Sequence, residues 1–142
     1  MEYNNPMQTF LPYADFQKTA KILDYRRLGK QRVEAFQILN ILKGKTSSKT
    51  WVNHPAVKMW KGYEDALQVY LRIIILEWIK RGYKNNMLIP PDIKNYQTPF
   101  WLGDEKFHCS HRSNLKRKNP EYYKHFKEPD NLSYFWPVNQ SK

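Results

Sequence analysis

The feature that most constrains the fold is an apolar stripe in the middle of the chain. Its members recur at helical spacing: Trp60, Tyr63, Leu67, Leu71, Ile74 and Trp78. Asn53 and Pro55 precede the stripe as a cap-like residue and an early helical proline, and Gly82 follows it. The pattern predicts one continuous core helix of about 27 residues, roughly 40 Å long, around which the other helices pack.

Two shorter helices are predicted before this stripe. The first opens near Asp15, and the second runs from about Arg27 to Lys43 and ends at Gly44. Gly29 is predicted to leave a kink between them. The second helix carries an apolar face of its own, made of Leu28, Ala35, Leu39 and Leu42.

Polar or proline-rich stretches separate these helices. Residues 1–12 contain two prolines and no sustained period, so they are predicted to form an extended lead-in. Residues 45–50 offer no apolar side chain for burial and are predicted to form a polar loop. Residues 83–106 contain three prolines and are predicted to form a long ordered loop held by Phe100, Trp101 and Leu102.

The last third of the chain is expected to return to helix and then end irregularly. A helix is predicted around residues 107–118 and again after Pro120, and residues 128–142 are expected to form an irregular aromatic tail. A length of 142 residues fits one domain. We expect a compact single-domain all-α fold over residues 1–142, with its helical body at residues 13–127.

The charge balance indicates a polyanionic partner. The chain has 24 Lys and Arg against 13 Asp and Glu, which leaves a formal net charge of +11. Such an excess attracts nucleic acid. The longest aliphatic run, residues 73–76, is too short to cross a bilayer, and the chain does not begin like a secretory signal. With Cys109 as the single cysteine, we expect an intracellular protein with no disulfide and no membrane contact.

Residues 24–34 contain the densest set of candidate catalytic groups, with four basic residues and two carboxylates in eleven positions. On a helix, Arg27, Gln31 and Glu34 share one face. A carboxylate among cations can stabilise a positively charged sugar while the cations bind the phosphates on either side. The alternative is a solvated helix face with a Lys30 to Glu34 ion pair that contributes about 0.3 kcal/mol.

Histidines and tyrosines provide further candidates. His54 stands in a turn, where it can serve as an acid or base near neutral pH or simply cap the next helix. His108 and His111 are spaced to share a metal, but no third ligand is close in sequence, so no metal site is predicted. Tyr122 and Tyr123 follow a basic stretch and can stack on bases or belong to the core.

Taken in order along the chain, these segments resemble the pyrimidine dimer DNA glycosylase family, to which phage endonuclease V belongs. The motifs that carry the resemblance are Tyr25-Arg26 with the following basic helix, the helix end from Trp78 to Tyr83, and His111-Arg112 through Tyr122-Tyr123. Residues 7–12 and 27–32 resemble an uncharacterised microbial branch associated with that family. The resemblance extends from about Met7 to Phe126.

The resemblance implies a compact all-α glycosylase with abasic-site lyase activity and no metal or other cofactor. In the family's mechanism, the α-amine exposed by removal of the initiator methionine attacks C1′ of the damaged nucleotide, an imine forms, and a helix glutamate assists. When the family motif is aligned on Tyr25-Arg26, Arg27 stands at the position of that glutamate. The carboxylate would therefore come from Glu34 or Asp24. Gln8 stands at the nucleophile position if translation starts at Met7 rather than Met1.

We therefore expect a monomeric DNA glycosylase that acts on damaged or modified double-stranded DNA by base flipping. Glu34 is the expected carboxylate, Lys30 the expected imine-forming amine, and His54 a nearby polar participant. The expected DNA contacts are Arg26, Arg27, Gln31, Arg32, His111, Arg112, Lys116, Arg117, Tyr122 and Tyr123. Two alternatives stay open: a non-catalytic DNA- or RNA-binding module, and a phosphodiester nuclease, which the lack of an acidic metal cluster disfavours.

Overall fold

The computed structural model describes residues 7–46 and 52–137, and all regular structure in these two ranges is helical. Five helices follow one another: α1 Phe16–Ile22, α2 Tyr25–Leu42, α3 Pro55–Lys58, α4 Glu64–Lys80 and α5 Glu105–Lys118. Helices α1 and α2 both pack against α4. The prediction of an all-α fold is confirmed. The polar loop predicted at residues 45–50 lies mostly outside the described residues.

The first two helices begin and end close to the predicted positions. Asp15 caps α1, and its carboxylate accepts a hydrogen bond from the Lys18 backbone nitrogen at 3.0 Å. Helix α2 ends at Leu42, and Gly44 follows with φ at +71°, a left-handed conformation that favours glycine. Local capping chemistry therefore accounts for these boundaries.

Gly29 does not form the predicted kink. It lies inside α2, and the break between α1 and α2 falls at Leu23 and Asp24 instead. A Cβ at Gly29 would lie 2.9 Å from the Trp78 ring. Glycine is needed here because it lets α2 approach the indole of α4 closely, and that contact depends on tertiary packing.

The continuous central helix predicted from the apolar stripe is wrong. The chain forms the short α3, then a turn, and only then α4, which is about 26 Å long at ~1.5 Å per residue. Gly62 in the turn has φ at +87°, which a continuous helix cannot contain. The helical spacing persisted through the break because Trp60, although in the turn, is buried and stacks on Tyr70.

Residues 7–11 have no regular secondary structure and lie in the core. The extended lead-in expected over residues 1–12 stays a prediction, and residues 1–6 lie outside the described residues. Side chains satisfy the backbone groups of residues 7–11. Gln31 of α2 is central to this arrangement: its Oε1 accepts from the Phe10 backbone nitrogen at 2.6 Å, and its Nε2 donates to the Gln8 carbonyl at 2.9 Å. The Tyr70 hydroxyl lies 2.7 Å from the Phe10 carbonyl oxygen. Buried backbone without a neighbouring strand needs such partners.

Two histidines of α5 bind the backbone N–H and C=O groups of the next residue, Leu11. His111 Nδ1 accepts from the Leu11 backbone nitrogen at 3.1 Å, and His108 Nδ1 lies 2.8 Å from the Leu11 carbonyl oxygen. His108 Nε2 accepts from the Gly103 backbone nitrogen, so the proton is on Nδ1, which donates to Leu11. The pair therefore anchors the N-terminal segment to α5.

The connections after α4 agree only partly with the sequence prediction. The long loop is present, and Trp101 holds it through a 2.9 Å hydrogen bond from its Nε1 to the Met59 carbonyl oxygen. Phe100 does not hold it, since that ring is 74% exposed. The helix predicted after Pro120 is wrong, because residues 120–125 form a turn. The tail is irregular as predicted up to Pro137, the last residue described.

Candidate active site

Glu34 lies where α2 meets the buried N-terminal segment. Its Oε1 accepts a hydrogen bond from the Gln8 backbone nitrogen at 2.8 Å, and its Oε2 lies 2.9 Å from Lys30 Nζ. The Glu34 side chain is 12% exposed. Burial raises the pKa of Glu34 above its ordinary value, and the hydrogen bonds from Lys30 and Gln8 partly oppose this shift. The Lys30 to Glu34 ion pair, which belonged to the alternative interpretation of this segment as a solvated helix face, is present.

Asp24, the other carboxylate that the sequence offered, is committed elsewhere. Its Oδ1 accepts from the Tyr123 hydroxyl at 2.5 Å, and its Oδ2 lies 3.2 Å from Arg27 Nη1. Asp24 is 5% exposed, and burial with the Asp24 contact raises the pKa of Tyr123 far above its ordinary value. Asp24 thus joins α2 to the turn after α5.

A cavity of about 240 Å³ opens at Lys30, the ion-pair partner of Glu34. It is lined by one aromatic ring and four cationic side chains: Phe10, Arg26, Arg27, Lys30 and Lys118. Three of the cations come from two turns of α2, and the fourth comes from the C-terminal end of α5. Such a cavity can hold a sugar with its phosphates, because the four cations attract phosphate.

The sequence analysis did not select two residues of this cavity, Phe10 and Lys118, and Lys118 is the charged one. Its carbonyl oxygen accepts from Arg27 Nη2 at 3.5 Å, so α2 and α5 meet here. Partial burial and the positive charges of Arg27, Arg117 and Lys30 lower the pKa of the Lys118 amine. The only signal for it was membership of the basic run at the end of α5, which does not distinguish it from its neighbours.

The other basic residues of α5 mainly hold the tail. Arg112 pairs with Glu105 and Glu128 and also donates to the Pro12 carbonyl oxygen at 2.7 Å. Lys116 Nζ donates to two carbonyl oxygens of residues 126–128. Arg117 donates to the Asp130 carbonyl oxygen and to the Asn114 side chain. The structure thus gives all three predicted phosphate contacts a structural role, and they do not line the cavity.

Three further predicted DNA contacts are closed to solvent. Gln31 and His111 bind the N-terminal segment, as described above, and Tyr123 binds Asp24; all three are 0% exposed. A side chain without exposed surface does not reach DNA in this conformation. They are therefore core residues, and we exclude them from the candidate interface.

Two of the places with exposed aromatic rings lie next to predicted DNA contacts. Tyr25 is 53% exposed and stacks on Trp78, with Tyr83 packed against both rings. The Arg32 guanidinium lies over Trp78, 4.6 Å from the ring centroid, and donates to Asn85. Sequence reasoning missed this cluster because Tyr25 and Arg32 of α2 are far in sequence from Trp78 and Tyr83. The second place is the turn after α5, where Tyr122, one of the expected DNA contacts, is 43% exposed.

His54 takes the capping role that was the alternative to catalysis. Its Nδ1 accepts from the Ala56 backbone nitrogen at 3.0 Å, at the start of α3. The ring packs edge-on against Trp136, and burial lowers the pKa of His54 below its ordinary value. No described contact joins it to Glu34 or to the lining of the cavity, and a role in the reaction stays a prediction.

Neither a metal-ligand cluster nor a membrane-spanning helix occurs in the part of the chain that the structure describes. Across residues 7–46 and 52–137, no group of three or more His, Cys, Asp or Glu side chains could hold a metal ion. His108 and His111 bind the Leu11 backbone instead of sharing a ligand. None of the described helices has the length and apolarity needed to span a membrane.

The fold and the site define an all-α protein with a cation-lined cavity, one of whose lysines is paired with a largely buried glutamate. The sequence model of a family described as pyrimidine dimer DNA glycosylase matches residues 7–90, more than half of the chain. The chain belongs to this family, whose description names a glycosylase that acts on DNA. No curated protein and no solved structure matches the chain significantly. The match includes Gln8, Lys30 and Glu34 and ends before α5.

Proposed function

We propose that this protein is a DNA glycosylase for damaged or modified duplex DNA, with Glu34 as the catalytic carboxylate. The observation that carries this proposal is the contact of Glu34 with the Gln8 backbone nitrogen at 2.8 Å. Gln8 follows Met7, at the position that corresponds to the family's nucleophilic residue. In this chain Arg27 stands at the sequence position of the family's catalytic glutamate. Because Glu34 contacts the residue at the nucleophile position, we assign the role of that glutamate to Glu34.

The chemistry of the cavity supports this assignment. Loss of a base leaves positive charge on C1′ and the ring oxygen of the sugar, and a fixed carboxylate stabilises that charge. Arg26 and Arg27 remain cationic at any physiological pH and can bind the phosphates on either side of the flipped nucleotide. A base leaving the duplex can stack on the exposed Tyr25 ring, which precedes Arg26 directly.

The direct test is an excision assay on duplexes that contain a cyclobutane pyrimidine dimer, a modified base or no lesion. We expect release of the base, revealed as an alkali-labile site, from at least one lesion duplex and from none of the undamaged ones. EDTA should leave the rate unchanged, since His108 and His111 are committed to the backbone. Binding without excision would identify a non-catalytic module, and restoration of EDTA-inhibited cleavage by a divalent ion would identify a nuclease.

DNA binding is expected to weaken steeply with salt. Each phosphate neutralised contributes about −0.9 to the slope of log K against log salt concentration on duplex DNA. Arg26→Ala should make this slope less steep by about 0.9, the contribution of one phosphate contact, because Arg26 lines the cavity. Lys94→Ala is the matched control: Lys94 pairs with Asp92 in the long loop and does not line the cavity. A flat salt response, or equal slopes for Arg26→Ala and the wild type, would contradict this interface.

A further inference from the structure

We propose that Gln31 is a positioning residue for the Glu34 carboxylate, and that Tyr70 holds the Gln31 side chain in place. The amide of Gln31 binds residues 8 and 10 of the N-terminal segment, so that the Gln8 backbone N–H stays directed at Glu34. The inference rests on the proposed function, which gives the chemistry to this carboxylate. It assigns Gln31 a role inside the protein instead of the DNA contact that the sequence predicted.

Gln31 interrupts the buried apolar face of α2. Leu28 and Ala35 lie on the same face, one turn before and one turn after it, and all three side chains are buried. A buried amide costs free energy unless its polar atoms are hydrogen-bonded, whereas an apolar side chain of similar size would pack here without that cost. The presence of an amide at this position is therefore explained by the groups that it binds.

These groups fix the orientation of the Gln31 amide. The Phe10 backbone nitrogen can only donate, so the amide atom 2.6 Å from it is the oxygen Oε1. The Gln8 carbonyl oxygen can only accept, so the amide atom 2.9 Å from it is the nitrogen Nε2. Rotating the amide by half a turn would place donor against donor and acceptor against acceptor. Gln31 thus has one arrangement that satisfies both backbone groups.

Tyr70 of α4 supports this arrangement from a second helix. Its hydroxyl oxygen lies 2.6 Å from Gln31 Oε1 and 2.7 Å from the Phe10 carbonyl oxygen, two acceptors that share its proton. Burial raises the pKa of Tyr70 well above its ordinary value, so the hydroxyl remains a donor. The Tyr70 ring is itself held by stacking on Trp60. Helix α4 therefore fixes the Gln31 amide and the N-terminal segment together.

Gln31 and Glu34 bind the two backbone groups of one residue. Gln31 donates to the Gln8 carbonyl oxygen, and Glu34 accepts from the Gln8 N–H at 2.8 Å. Residues three apart on a helix are neighbours, so holding the carbonyl also holds the N–H against the carboxylate. Without Gln31 the Gln8 N–H would be released, and the 2.9 Å contact with Lys30 would remain for Glu34.

The Gln8 N–H also affects the ionisation of Glu34. Burial raises the pKa of Glu34, and two groups of the described residues oppose this shift: the Lys30 ammonium on α2 and the Gln8 N–H on the N-terminal segment. Loss of the hydrogen bond from Gln8 would therefore raise the pKa of Glu34 further. A residue that only stabilised the fold would leave this pKa unchanged.

Titration of Glu34 by ¹³C NMR in the full chain tests the inference without any need for activity. Gln31→Met keeps the approximate length of the side chain and removes its hydrogen bonds. We expect the Glu34 titration to move to higher pH and the Gln8 amide proton to exchange about fivefold faster. Tyr70→Phe removes only the hydroxyl and should change both quantities in the same direction. It decides the result if Gln31→Met does not fold.

Two control substitutions on α2 separate this effect from general ones. Gln37→Met is the same substitution at an exposed position three residues after Glu34, as Gln31 is three residues before it. Ile38→Ala removes buried apolar contacts and lowers stability without removing a side-chain hydrogen bond. Both variants should titrate Glu34 as the wild type does. An equal shift in Ile38→Ala would overturn the inference, because loss of stability would then be a sufficient cause.

Base excision gives a second measurement. Gln31→Met should lower the single-turnover rate roughly 10-fold at neutral pH, because the carboxylate is displaced and less ionised, while duplex binding is retained. Raising the pH should recover the part due to ionisation. A shifted Glu34 titration without excision by the wild type would leave the inference standing and refute the proposed function. Excision by the wild type, with an unshifted titration in the folded variants, would refute the inference alone.

Discussion

Glu34→Gln is expected to lower the rate of base excision by at least 100-fold while DNA binding is retained. Glutamine keeps the size of the side chain, and its amide oxygen can still accept from the Gln8 backbone nitrogen. It lacks the negative charge that stabilises the sugar in the transition state, and such groups contribute about 3 kcal/mol or more. The cations that bind phosphate are unchanged. Single-turnover excision and equilibrium binding, measured on the same lesion duplex, give the two quantities.

Glu77→Gln is the matched control for this substitution. Glu77 forms an ion pair of the same helical spacing and length, 2.9 Å to Arg81, but on α4 and away from the cavity. The Glu77→Gln variant should excise bases at the rate of the wild type. Wild-type excision by Glu34→Gln would refute the assignment of the carboxylate. Loss of activity in Asp24→Asn alone would transfer the role to Asp24.

The free energy of unfolding is expected to fall as the pH falls from about 6.5 to about 3, because of His111. Complete burial, with a smaller contribution from His108, lowers the pKa of His111 from 6.5 to about 3. Over this range the unfolded chain binds a proton at His111 and the folded chain does not. Stability therefore decreases towards acid, by about 1.4 kcal/mol per pH unit from this residue.

His111→Asn removes the titrating group and keeps an acceptor near the Leu11 backbone nitrogen. Urea unfolding at pH 6.5 and pH 4.5 should show a loss in the wild type that exceeds the loss in this variant by roughly 2 kcal/mol or more. His125→Asn, at an exposed position after α5, should lose as much as the wild type. Equal losses for His111→Asn and the wild type would mean that His111 is not buried as a neutral ring.

The elements that the sequence determined by itself are those set by local chemistry. The start of α1 at the Asp15 cap, the end of α2 before Gly44 and the position of α5 all depend on residues within a few positions of the boundary. The Lys30 to Glu34 pair is equally local, since residues four apart on a helix are neighbours. The net charge and the order of the family motifs needed no structure at all.

The spacing of residues along the chain did not predict the structure correctly where one residue type fits two conformations. Trp60 continues the apolar stripe whether it lies in a helix or in a turn, because either position can be buried. Gly29 predicts a kink when only its flexibility is considered, yet it serves here to admit Trp78. Basic residues gave the same ambiguity: Arg112 and Lys116 bind the tail, whereas Arg26 lines the cavity.

Only the tertiary structure decided the composition of the site. The contact of Gln8 with Glu34 joins residues 26 positions apart, and that of Arg27 with Lys118 joins residues 91 apart. Such pairs have no periodicity, because they depend on how the helices pack and on which side chains satisfy the buried backbone of residues 7–11. The sequence determined that a basic helix would carry a carboxylate. The packing of the N-terminal segment against that helix placed the Gln8 backbone nitrogen at Glu34, and the packing of α5 placed Lys118 at Arg27.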